Sequence, residues 1–397
     1  MWQRIKNFYH LGIAIVSNIW FKFPSKKLTV IGVTGTDGKT TTTSLIYHIL
    51  HVAGFNASMV SSVGAIISGK NFNIGFHVTT PSSFAVQGFI KKAVDSGSKF
   101  LVLETTSHAL DQYRVFGIKY EVGVLTNITH EHLDYHKTYE NYAKVKVKLL
   151  EVSKIAITNR DDESFASLSS EFPSSVGRQA LSSKLTTYGM NTDADVNPKN
   201  FPFETDLIGE FNKYNVLAAI AACKALGIKT ETIRKGIKSF MAPRGRAEIV
   251  CKKDFTVMID FAHTPNSIDQ ILKSVRTSVK GKIIHVFGSA GARDITKRPL
   301  MGEMSSKYAD VIILTAEDPR KESVEKIMTQ IESGINNKTK VLKISDRRKA
   351  IESAIKMAQK GDLVLLTGKS HEKSMNYGQG EVAWDEYKAV KDVLRTI

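Results

Sequence analysis

The chain has 397 residues, of which 55 are Lys or Arg and 39 are Asp or Glu, and its formal net charge is +16. Two cysteines, Cys223 and Cys251, exclude a disulfide framework and a four-thiolate zinc site, which indicates a reducing compartment, by default the cytoplasm. The length is enough for two or three domains, and the charge favours anionic small molecules or surfaces, while the lack of interleaved Arg and aromatic residues argues against nucleic acid.

The N-terminal segment, residues 1–27, is basic, and the first acidic residue of the chain is Asp37. Residues 13–23 are mostly apolar, with Trp2 and Trp20 near the ends of the stretch. A run of about eleven residues is too short to span a bilayer, and no small-residue cleavage site of a signal peptide follows it. We therefore expect a helix packed on the next domain, and interfacial contact with a membrane is the alternative.

The stretch Leu28–Thr43, LTVIGVTGTDGKTTTT, predicts a strand, a glycine loop and the start of a helix. In such a loop the backbone N–H groups bind polyphosphate, while Lys39 can reach the terminal phosphates and Thr40 a Mg²⁺ ion. Val33 stands where the usual first glycine belongs, so the match is to a shorter form of the motif. We predict an ATP or GTP site whose loop residues are Gly35, Thr36, Asp37, Gly38, Lys39, Thr40 and Thr41.

The glycine loop is followed by the pattern of an α/β domain. A helix is predicted at Thr40–Val52, and short apolar runs then have the pattern of buried parallel strands. These strands are predicted at Ala57–Val60, Phe100–Leu103, Val122–Leu125 and Lys154–Thr158. Helical patterns return at Phe211–Leu226 and Lys229–Phe240. Residues 242–245, Ala-Pro-Arg-Gly, then break the pattern, and we place a domain boundary there.

Beyond this boundary, apolar runs again alternate with helical patterns. The predicted strands are Phe255–Asp260, Lys282–Phe287, Asp310–Leu314, Lys340–Ile344 and Leu363–Thr367. This alternation implies a second doubly wound sheet, with ligands at the carboxyl ends of its strands. The predicted fold is therefore α/β: after residues 1–27, a central P-loop-type ATPase domain with a mostly parallel sheet (28–241) and a C-terminal Rossmann-like, doubly wound domain (242–397).

Two groups of polar residues follow strands of the central domain. Glu104 ends a strand, as a carboxylate must if it is to meet Mg²⁺ at the neighbouring glycine loop, and helix capping is the alternative. Residues 126–136 read TNITHEHLDYH and are dense in histidines and acids. Their spacing approaches that of a dinuclear zinc hydrolase, but Tyr135 separates Asp134 from His136, which argues against that interpretation.

A series of short motifs extends from the glycine loop to near the C-terminus. They are Gly35–Thr42, Thr79–Pro81, Glu104–Arg114, Thr126–His136, Gly209–Asn215, Pro243–Arg246, Asp260–Pro265, Phe287–Pro299, Glu317–Arg320 and Gly368–Glu372. In this order they resemble the Mur ligases, ATP-dependent amide-forming enzymes of cell-wall synthesis. Among these, the chain looks most like the UDP-N-acetylmuramoyl-tripeptide synthetases, which add the third residue of the stem peptide. Each motif alone is weak evidence, whereas their joint order is specific.

The resemblance implies ATP and two Mg²⁺ ions as cofactors. Lys39 and Thr40 would hold the β- and γ-phosphates and the first ion, and Glu104 would bridge to a second ion bound by His132. Lys146 would be carbamylated and would also bind the second ion, because an unmodified ammonium would be repelled by Mg²⁺. The positions that match family contacts to adenine, ribose or phosphate are Asn212, Asn215, Arg246, Asp260 and His263.

The resemblance also implies sites for the acceptor and the incoming amino acid. Positions that match contacts to the muramoyl-dipeptide are Thr79, Thr80, Thr106, Gln112 and Arg114. Positions that match contacts to a diamino acid are Arg293, Glu317, Asp318, Arg320, Gly368 and Glu372. The family sequence Asp-Asn-Pro-Arg reads Glu-Asp-Pro-Arg here, and while Arg320 suits the distal carboxylate of meso-diaminopimelate, Asp318 suits a distal ammonium. Lysine and ornithine therefore remain alternatives to meso-diaminopimelate as the incoming amino acid.

The implied reaction is ADP-forming amide ligation through an acyl phosphate, in peptidoglycan synthesis. We expect a monomer that acts on small-molecule substrates, with peripheral membrane contact through residues 1–27 as the alternative to packing of this segment on the next domain. Family members carry about a hundred residues before the glycine loop for binding uridine diphosphate, far more than this chain has there. A lipid-II-directed ligase-like subunit is therefore an alternative, although two cysteines cannot build the zinc ribbon of that group. A folylpolyglutamate-synthetase-like ligase is another alternative, which the motifs at 79–81 and 317–320 disfavour. A non-catalytic nucleotide sensor is the alternative from outside the enzymes, and it would need substitutions that destroy the catalytic positions.

Overall fold

A computed structural model describes residues 2–75, 79–129, 131–165 and 185–396, with side chains from Lys6 onwards. The described residues form two compact units. The first comprises those of Met1–Thr129, Thr138–Leu207 and Phe211–Met241. The second comprises those of His130–Lys137, Ile208–Glu210 and Ala242–Ile397.

Up to residue 241, the described elements are a mixture of strands and helices. In chain order they are α1 (Trp2–Trp20), a 3₁₀ turn (Pro24–Lys27), β1 (Thr29–Thr34), α2 (Lys39–Val52), β2 (Ala57–Ser61), β3 (Gly64–Ile67), β4 (Lys70–Phe72), α3 (Ser83–Asp95), β5 (Phe100–Glu104), α4 (Ser107–Asp111), β6 (Tyr120–Leu125), α5 (Leu133–His136), α6 (Tyr139–Glu151), β7 (Ser153–Asn159), β8 (Leu185–Tyr188), α7 (Glu210–Ala225) and α8 (Thr230–Ser239). Helix α5 belongs to the second unit.

The first unit is built on an eight-stranded sheet of order β4-β3-β2-β5-β1-β6-β7-β8. Strands β2, β5, β1, β6, β7 and β8 run parallel, while β3 pairs antiparallel with both β2 and β4. Strand β1 pairs with β5 so that Val33 lies opposite Glu104. This register brings the end of β5 beside the glycine loop that follows β1.

The core of the first unit lies between this sheet and the helices on it. Leu45, Ile46 and Ile49 of α2 are fully buried together with Ile31 of β1. Residues 216–223 of α7 are buried as well, which explains why this helix is apolar nearly all round. Burial of apolar side chains on both faces of the sheet stabilises the unit by roughly 25 cal/mol per Å² of area removed from water.

The second unit is built on a six-stranded sheet. Its remaining elements are β9 (Glu248–Lys252), β10 (Thr256–Ile259), α9 (Pro265–Arg276), β11 (Ile283–Phe287), α10 (Lys297–Ser306), β12 (Val311–Leu314), α11 (Val324–Glu332), β13 (Lys340–Lys343), α12 (Arg347–Met357), β14 (Leu363–Leu366), β15 (Ser374–Asn376), β16 (Glu381–Ala383) and α13 (Glu386–Leu394). The sheet order is β13-β12-β11-β14-β10-β9, parallel except for β9, and β15 and β16 form a separate hairpin.

A buried ion pair joins two helices of the second unit. Arg347 at the start of α12 and Glu386 at the start of α13 are both fully buried, and their closest N–O distance is 2.6 Å. The guanidinium also donates to the carbonyl oxygens of Ala316 and Thr367 at 3.3 and 2.8 Å. Because each charge is compensated, the pair is tolerated in the interior, and the loops after β12 and β14 are tied together.

The predicted α/β class and the two sheets are confirmed. Every strand predicted from an apolar run is present, with ends shifted by at most two residues. The apolar pattern did not predict β3, β4, β8, β9 or the β15–β16 hairpin, because these strands are short or only partly buried and lack a continuous apolar run. The apolar stretch at 13–23 lies largely within the longer helix α1. No helix among the described residues is long and apolar enough to cross a membrane.

Candidate active site

The glycine loop joins β1 to α2. Gly38 caps the N-terminus of α2 with a φ of 82°, and a Cβ at this position would lie 2.1 Å from Oδ1 of Asn215, so only glycine fits. The backbone N–H of Asp37 donates to Oδ1 of Asn127 at 2.9 Å, which fixes the loop from the end of β6. The loop therefore runs into the N-terminal end of a helix, the arrangement that binds phosphate groups.

The first turn of α2 holds the two residues predicted to meet phosphate and Mg²⁺. The Nζ atom of Lys39 donates to the carbonyl oxygen of Thr36 at 2.7 Å. The hydroxyl of Thr40 lies 3.1 Å from Oε1 of Glu104 and 2.8 Å from the hydroxyl of Ser62. The backbone N–H of Ser62 donates to Oε2 of Glu104 at 2.9 Å. Hydroxyl and carboxylate oxygens gathered in this way are the donors that Mg²⁺ prefers, so these residues fit the ion.

Lys146 on α6 is buried beside the same loop. Its side chain is 1% exposed, whereas Lys144 and Lys148 on either side are exposed. The Nζ atom donates to the carbonyl oxygen of Gly35 at 2.6 Å and lies 4.5 Å from the ring centroid of Tyr142. Alternate residues of a helix do not share a face, so one of the three lysines must point inward. The structure identifies Lys146 as that residue and excludes a solvated surface charge.

A second polar cluster lies between the ends of β5 and α4. The hydroxyl of Thr80 donates to the carbonyl oxygen of Glu104 at 2.9 Å and accepts from the backbone N–H of Thr106 at 3.0 Å. Arg114 donates to the carbonyl oxygen of Thr80 at 2.9 Å. Its other nitrogens donate to Oε1 of Gln112 at 3.0 and 2.7 Å. Four of the five predicted acceptor residues are therefore neighbours, next to the carboxylate at the glycine loop.

In the second unit, aromatic rings surround the predicted nucleotide residues. The guanidinium of Arg246 lies 4.6 Å from the ring centroid of Phe261. The rings of His263 and His371 lie 4.8 and 5.0 Å from the same ring. Both carboxylate oxygens of Asp260 accept backbone N–H bonds of 2.7 Å, which fix the loop after β10. Flat rings and a guanidinium are groups on which a purine can stack.

Charged residues follow β12 and β14. The Nζ atom of Lys369 lies 3.0 Å from each carboxylate oxygen of Asp318 and 2.6 Å from Oε2 of Glu372. Arg320 donates to the carbonyl oxygen of residue 291 at 3.0 Å. Burial and, next, the positive charge of Arg293 lower the pKa of Arg320. One buried lysine is therefore shared by the acids at 318 and 372, whereas the guanidinium groups of Arg320 and Arg293 repel each other and favour a nearby anion.

Glu317 is a buried acid at the same place. Its Oε2 has no hydrogen-bond partner among the described residues and lies 2.1 Å from where a Cβ of Gly368 would be. Burial raises the pKa of this carboxyl from 4.5 to about 8, against the lowering effect of Arg347 and other nearby cations. Glu317 is therefore protonated at neutral pH in the folded chain.

This protonation predicts a pH-dependent difference in stability between the wild type and Glu317→Gln. Because the folded pKa lies above that of the unfolded chain, the stability that protonation contributes is complete below about pH 4.5 and is lost as the pH rises through about 8. Gln keeps a neutral side chain of similar shape, so we expect the wild type to lose stability relative to the variant across this range. Urea unfolding of both proteins measures it, with Glu303→Gln at an exposed site as the control. A constant difference would contradict the protonated state.

The segment 131–137 belongs to the second unit. His132 has a left-handed backbone with a φ of 57°, and its Nδ1 lies 3.8 Å from Oε1 of Glu131. Glu131 forms a buried ion pair with Lys297, whose Nζ lies 3.0 Å from Oε1 and also donates to the carbonyl oxygen of His263 at 2.9 Å. In the described part of the chain, no group of three or more His, Cys, Asp or Glu side chains could hold a metal ion. The histidine-rich segment therefore has no zinc cluster among its described residues, and His130 lies outside them.

Several of the predicted residues lie together within each unit. In the first unit the glycine loop, Glu104, Lys146, the acceptor cluster and Asn215 are neighbours, and Asn215 accepts a hydrogen bond from Thr42. Thr79 directly precedes Thr80 and is partly exposed, and Asn212 accepts from the amide of Asn215 at 2.8 Å. Four residues of the site had been given no individual role from the sequence: Ser62, Asn127, Lys297 and Lys369. The last three lie within the motifs at 126–136, 287–299 and 368–372, whereas for Ser62 the one sequence signal is its position after a strand.

Comparison with known proteins places the two units in one family. The profile of the Mur ligase middle domain matches residues 33–223, and that of the Mur ligase glutamate ligase domain matches residues 245–370. A protein of Aquifex aeolicus named UDP-N-acetylmuramoyl-L-alanyl-D-glutamate--2,6-diaminopimelate ligase is 39% identical over 396 residues, which cover 94% of this chain and 79% of that protein. A protein of Geobacillus kaustophilus with the same name is 37% identical, over 97% of this chain and 82% of that protein.

Solved structures agree with this assignment. The structure of a UDP-N-acetylmuramoyl-L-alanyl-D-glutamate--2,6-diaminopimelate ligase superposes with a TM-score of 0.61 at 29% identity, and it covers 93% of this chain and 78% of that one. A bifunctional folylpolyglutamate synthase/dihydrofolate synthase from Yersinia pestis has a TM-score of 0.70 at 18% identity, over 91% of this chain and 92% of that one, and shows a shared fold. The sequence profiles and the relatives together establish that the chain belongs to the Mur ligase family.

Proposed function

We propose that the chain is an ATP-dependent, ADP-forming ligase that adds a diamino acid, meso-diaminopimelate, to UDP-N-acetylmuramoyl-L-Ala-D-Glu in peptidoglycan synthesis. The observation that carries the proposal is the contact of Thr40 and Glu104 at the glycine loop, 3.1 Å apart, beside Lys39. A glycine loop with a lysine, a hydroxyl and a carboxylate is suited to polyphosphate and Mg²⁺. The proposed substrates are those in the names of the relatives. The local chemistry of the glycine loop supports them.

Thr40 and Glu104 would hold the first Mg²⁺, which when bound screens the negative charges of the phosphate groups. Lys39 would neutralise charge on the transferred phosphoryl group, because phosphoryl transfer is stabilised mainly by positioned cations. Asn212 and Asn215 of the first unit are proposed to contact the nucleotide. In the second unit we propose the same for Arg246, Asp260 and His263, since the rings beside Arg246 offer a stacking surface.

The acceptor would be bound by the cluster around Thr80. Its terminal carboxylate attacks the γ-phosphorus of ATP, the bond to the bridging oxygen breaks, and ADP leaves. The amine of the diamino acid then attacks the acyl carbon, and the C–O bond breaks so that phosphate leaves with its electrons while the amine loses a proton. Arg114, held by Gln112 and by the Thr80 carbonyl, is suited to orient a carboxylate of the acceptor.

An oxygen-18 experiment tests this order of bond formation. The acceptor is labelled in its terminal carboxylate and incubated with ATP, Mg²⁺ and the diamino acid. Since the carboxylate oxygen becomes the bridging oxygen of the acyl phosphate, we expect one label in each phosphate released. Unlabelled phosphate would mean that water, not the acceptor, attacks ATP, and the ligase mechanism would be wrong.

Selectivity for the diamino acid is proposed to rest on Arg320 and Arg293. The alternative selector, Asp318, is paired with Lys369, which it shares with Glu372, and accepts the backbone N–H of Asn376 at 2.9 Å. An acid already bonded to a buried lysine and to a backbone N–H is a poorer site for a second ammonium, whereas two neighbouring guanidinium groups attract a carboxylate. This favours meso-diaminopimelate over lysine or ornithine.

Changing Arg320 to Lys therefore should weaken the use of diaminopimelate. A guanidinium binds a carboxylate through two parallel hydrogen bonds, which an ammonium cannot match, so we expect KM for diaminopimelate to rise about tenfold or more while ATP affinity stays nearly unchanged. Steady-state kinetics measures both, with Arg348→Lys on the exposed face of α12 as the control. A wild type that prefers lysine tenfold would contradict the assignment and would make Asp318 the selector.

Lys146 is proposed to be carbamylated and to serve as a ligand of a second Mg²⁺, and His132 of the second unit is separately proposed as a Mg²⁺ ligand. A buried amine at the glycine loop supports the carbamylation, because reaction with CO₂ would replace a cation by an anion with oxygen donors on a long stem. We also propose that the enzyme acts as a monomer.

A further inference from the structure

Helix α1 is attached to the first unit by one face only. Asn18 is buried, and its amide nitrogen donates at 2.8 Å to the carbonyl oxygen of Ala14 and, across to another segment, to that of Phe116. Asn7 donates to a carboxylate oxygen of Asp111 at 3.1 Å. Ala14 is also fully buried, so the attached face is well packed along most of the helix. The side of α1 that points outward is therefore fixed by the fold.

The outward face of α1 is apolar over three turns. Phe8 and Trp20 are each 73% exposed, and Ile19 is 61% exposed. The complete face, which we call the α1 outer face, consists of Phe8, Tyr9, Gly12, Ile15, Val16, Ile19 and Trp20. At 3.6 residues per turn these positions cover an arc of roughly 140°, with no charged residue inside it. A contiguous exposed patch of this kind marks a binding surface, unlike scattered single apolar residues.

Basic residues border the α1 outer face. Lys6 near its start and Lys22, Lys26 and Lys27 after its end are all exposed. No Asp or Glu occurs in the chain before Asp37. An apolar face with aromatic residues and a positive border is typical of helices that lie in the plane of an anionic membrane surface.

We propose that the α1 outer face inserts its apolar side chains into the surface of an anionic lipid membrane, with the lysines at the headgroup level. The helix lies on the membrane rather than across it, since no described helix is long and apolar enough to cross a bilayer. Phe8, Tyr9 and Trp20 are the amphipathic or aromatic residues that favour the interface. A second copy of the chain is a poorer occupant, because pairing two such faces would bring two lysine borders together.

The test measures binding of the full-length chain to vesicles by co-sedimentation. We expect binding to vesicles of phosphatidylcholine with phosphatidylglycerol, weak binding to phosphatidylcholine alone, and loss of binding at high salt. The triple variant Phe8→Ser, Ile19→Ser, Trp20→Ser should bind at least about tenfold more weakly, since it removes apolar area that lies outside the packed face. The matched control is Val152→Ser with Met241→Ser, which truncates exposed apolar side chains elsewhere in the first unit and should bind normally.

A fluorescence measurement keeps the proposal testable if the triple variant folds poorly. On addition of anionic vesicles the tryptophan emission should shift to shorter wavelength, and Trp20→Phe should reduce this shift while still binding. Equal binding of the wild type and a folded triple variant would overturn the proposal, as would equal binding to neutral vesicles or an unshifted emission. A dimer in the absence of lipid that the triple variant abolishes would assign the face to a second copy instead. None of these readouts depends on ligase activity.

Discussion

Replacing Lys39 by Ala should lower ATP-dependent turnover at least about a hundredfold. Removal of one positioned cation from a phosphoryl-transfer site forfeits transition-state stabilisation of this size. The effect should appear mainly in kcat, because Lys39 interacts most strongly with charge that develops on the transferred group. Phosphate release in the presence of acceptor and diamino acid measures it.

The control for this variant is Lys148→Ala, which removes an exposed lysine of α6 in the same unit and should behave as the wild type. Thermal unfolding of both variants shows whether a loss of turnover is caused by a loss of the folded state. Since Lys39 is bonded to the Thr36 carbonyl, which water can also satisfy, we expect little change in stability. Turnover of Lys39→Ala at the wild-type rate would contradict a role of the glycine loop in the reaction.

Changing Lys146 to Ala should also abolish most activity, and small carboxylates such as acetate should partly restore it. A carbamate supplies anionic oxygen donors, so a free carboxylate that enters the space left by the side chain can replace some of that function. A second readout does not depend on turnover: ¹³C NMR in ¹³C-labelled bicarbonate should show a carbamate signal in the wild type that Lys146→Ala lacks.

Two neighbouring lysines on the same helix provide matched controls. Lys144→Ala and Lys148→Ala remove exposed charges and should retain both activity and the carbamate signal. Full activity of Lys146→Ala, or a wild type without the carbamate signal, would contradict the modification. In that case the buried amine would act only as a structural donor to the Gly35 carbonyl.

The elements of this chain could be predicted where local sequence determines structure. Strands β1 and β5 are continuous apolar runs, and Gly38 marks the turn into α2, so the glycine loop and Glu104 could be placed beside each other before the structure was known. Helical geometry also required at least one of Lys144, Lys146 and Lys148 to point inward, and the family resemblance selected Lys146. The residue roles that were inferred from the family resemblance do not follow from local sequence, and they remain proposals.

The remaining features depend on contacts between residues distant in sequence. Ser62 binds both Thr40 and Glu104 only because β2 and β1 flank β5 in the sheet. The pairing of Asp318 with Lys369 depends on the adjacency of the loops after β12 and β14. Neither contact has a periodic or local signal, and a sequence pattern could therefore not indicate that the acid at 318 is paired with a lysine.

The most direct test of the proposed function is formation of the tripeptide product by the purified full-length chain. The protein is incubated with ATP, Mg²⁺ and UDP-N-acetylmuramoyl-L-Ala-D-Glu, and with meso-diaminopimelate, lysine or ornithine in parallel, and mass spectrometry detects the product. We predict one amide product per ADP formed, with meso-diaminopimelate preferred. ATP consumption with none of the three amino acids joined to this acceptor would contradict the assignment.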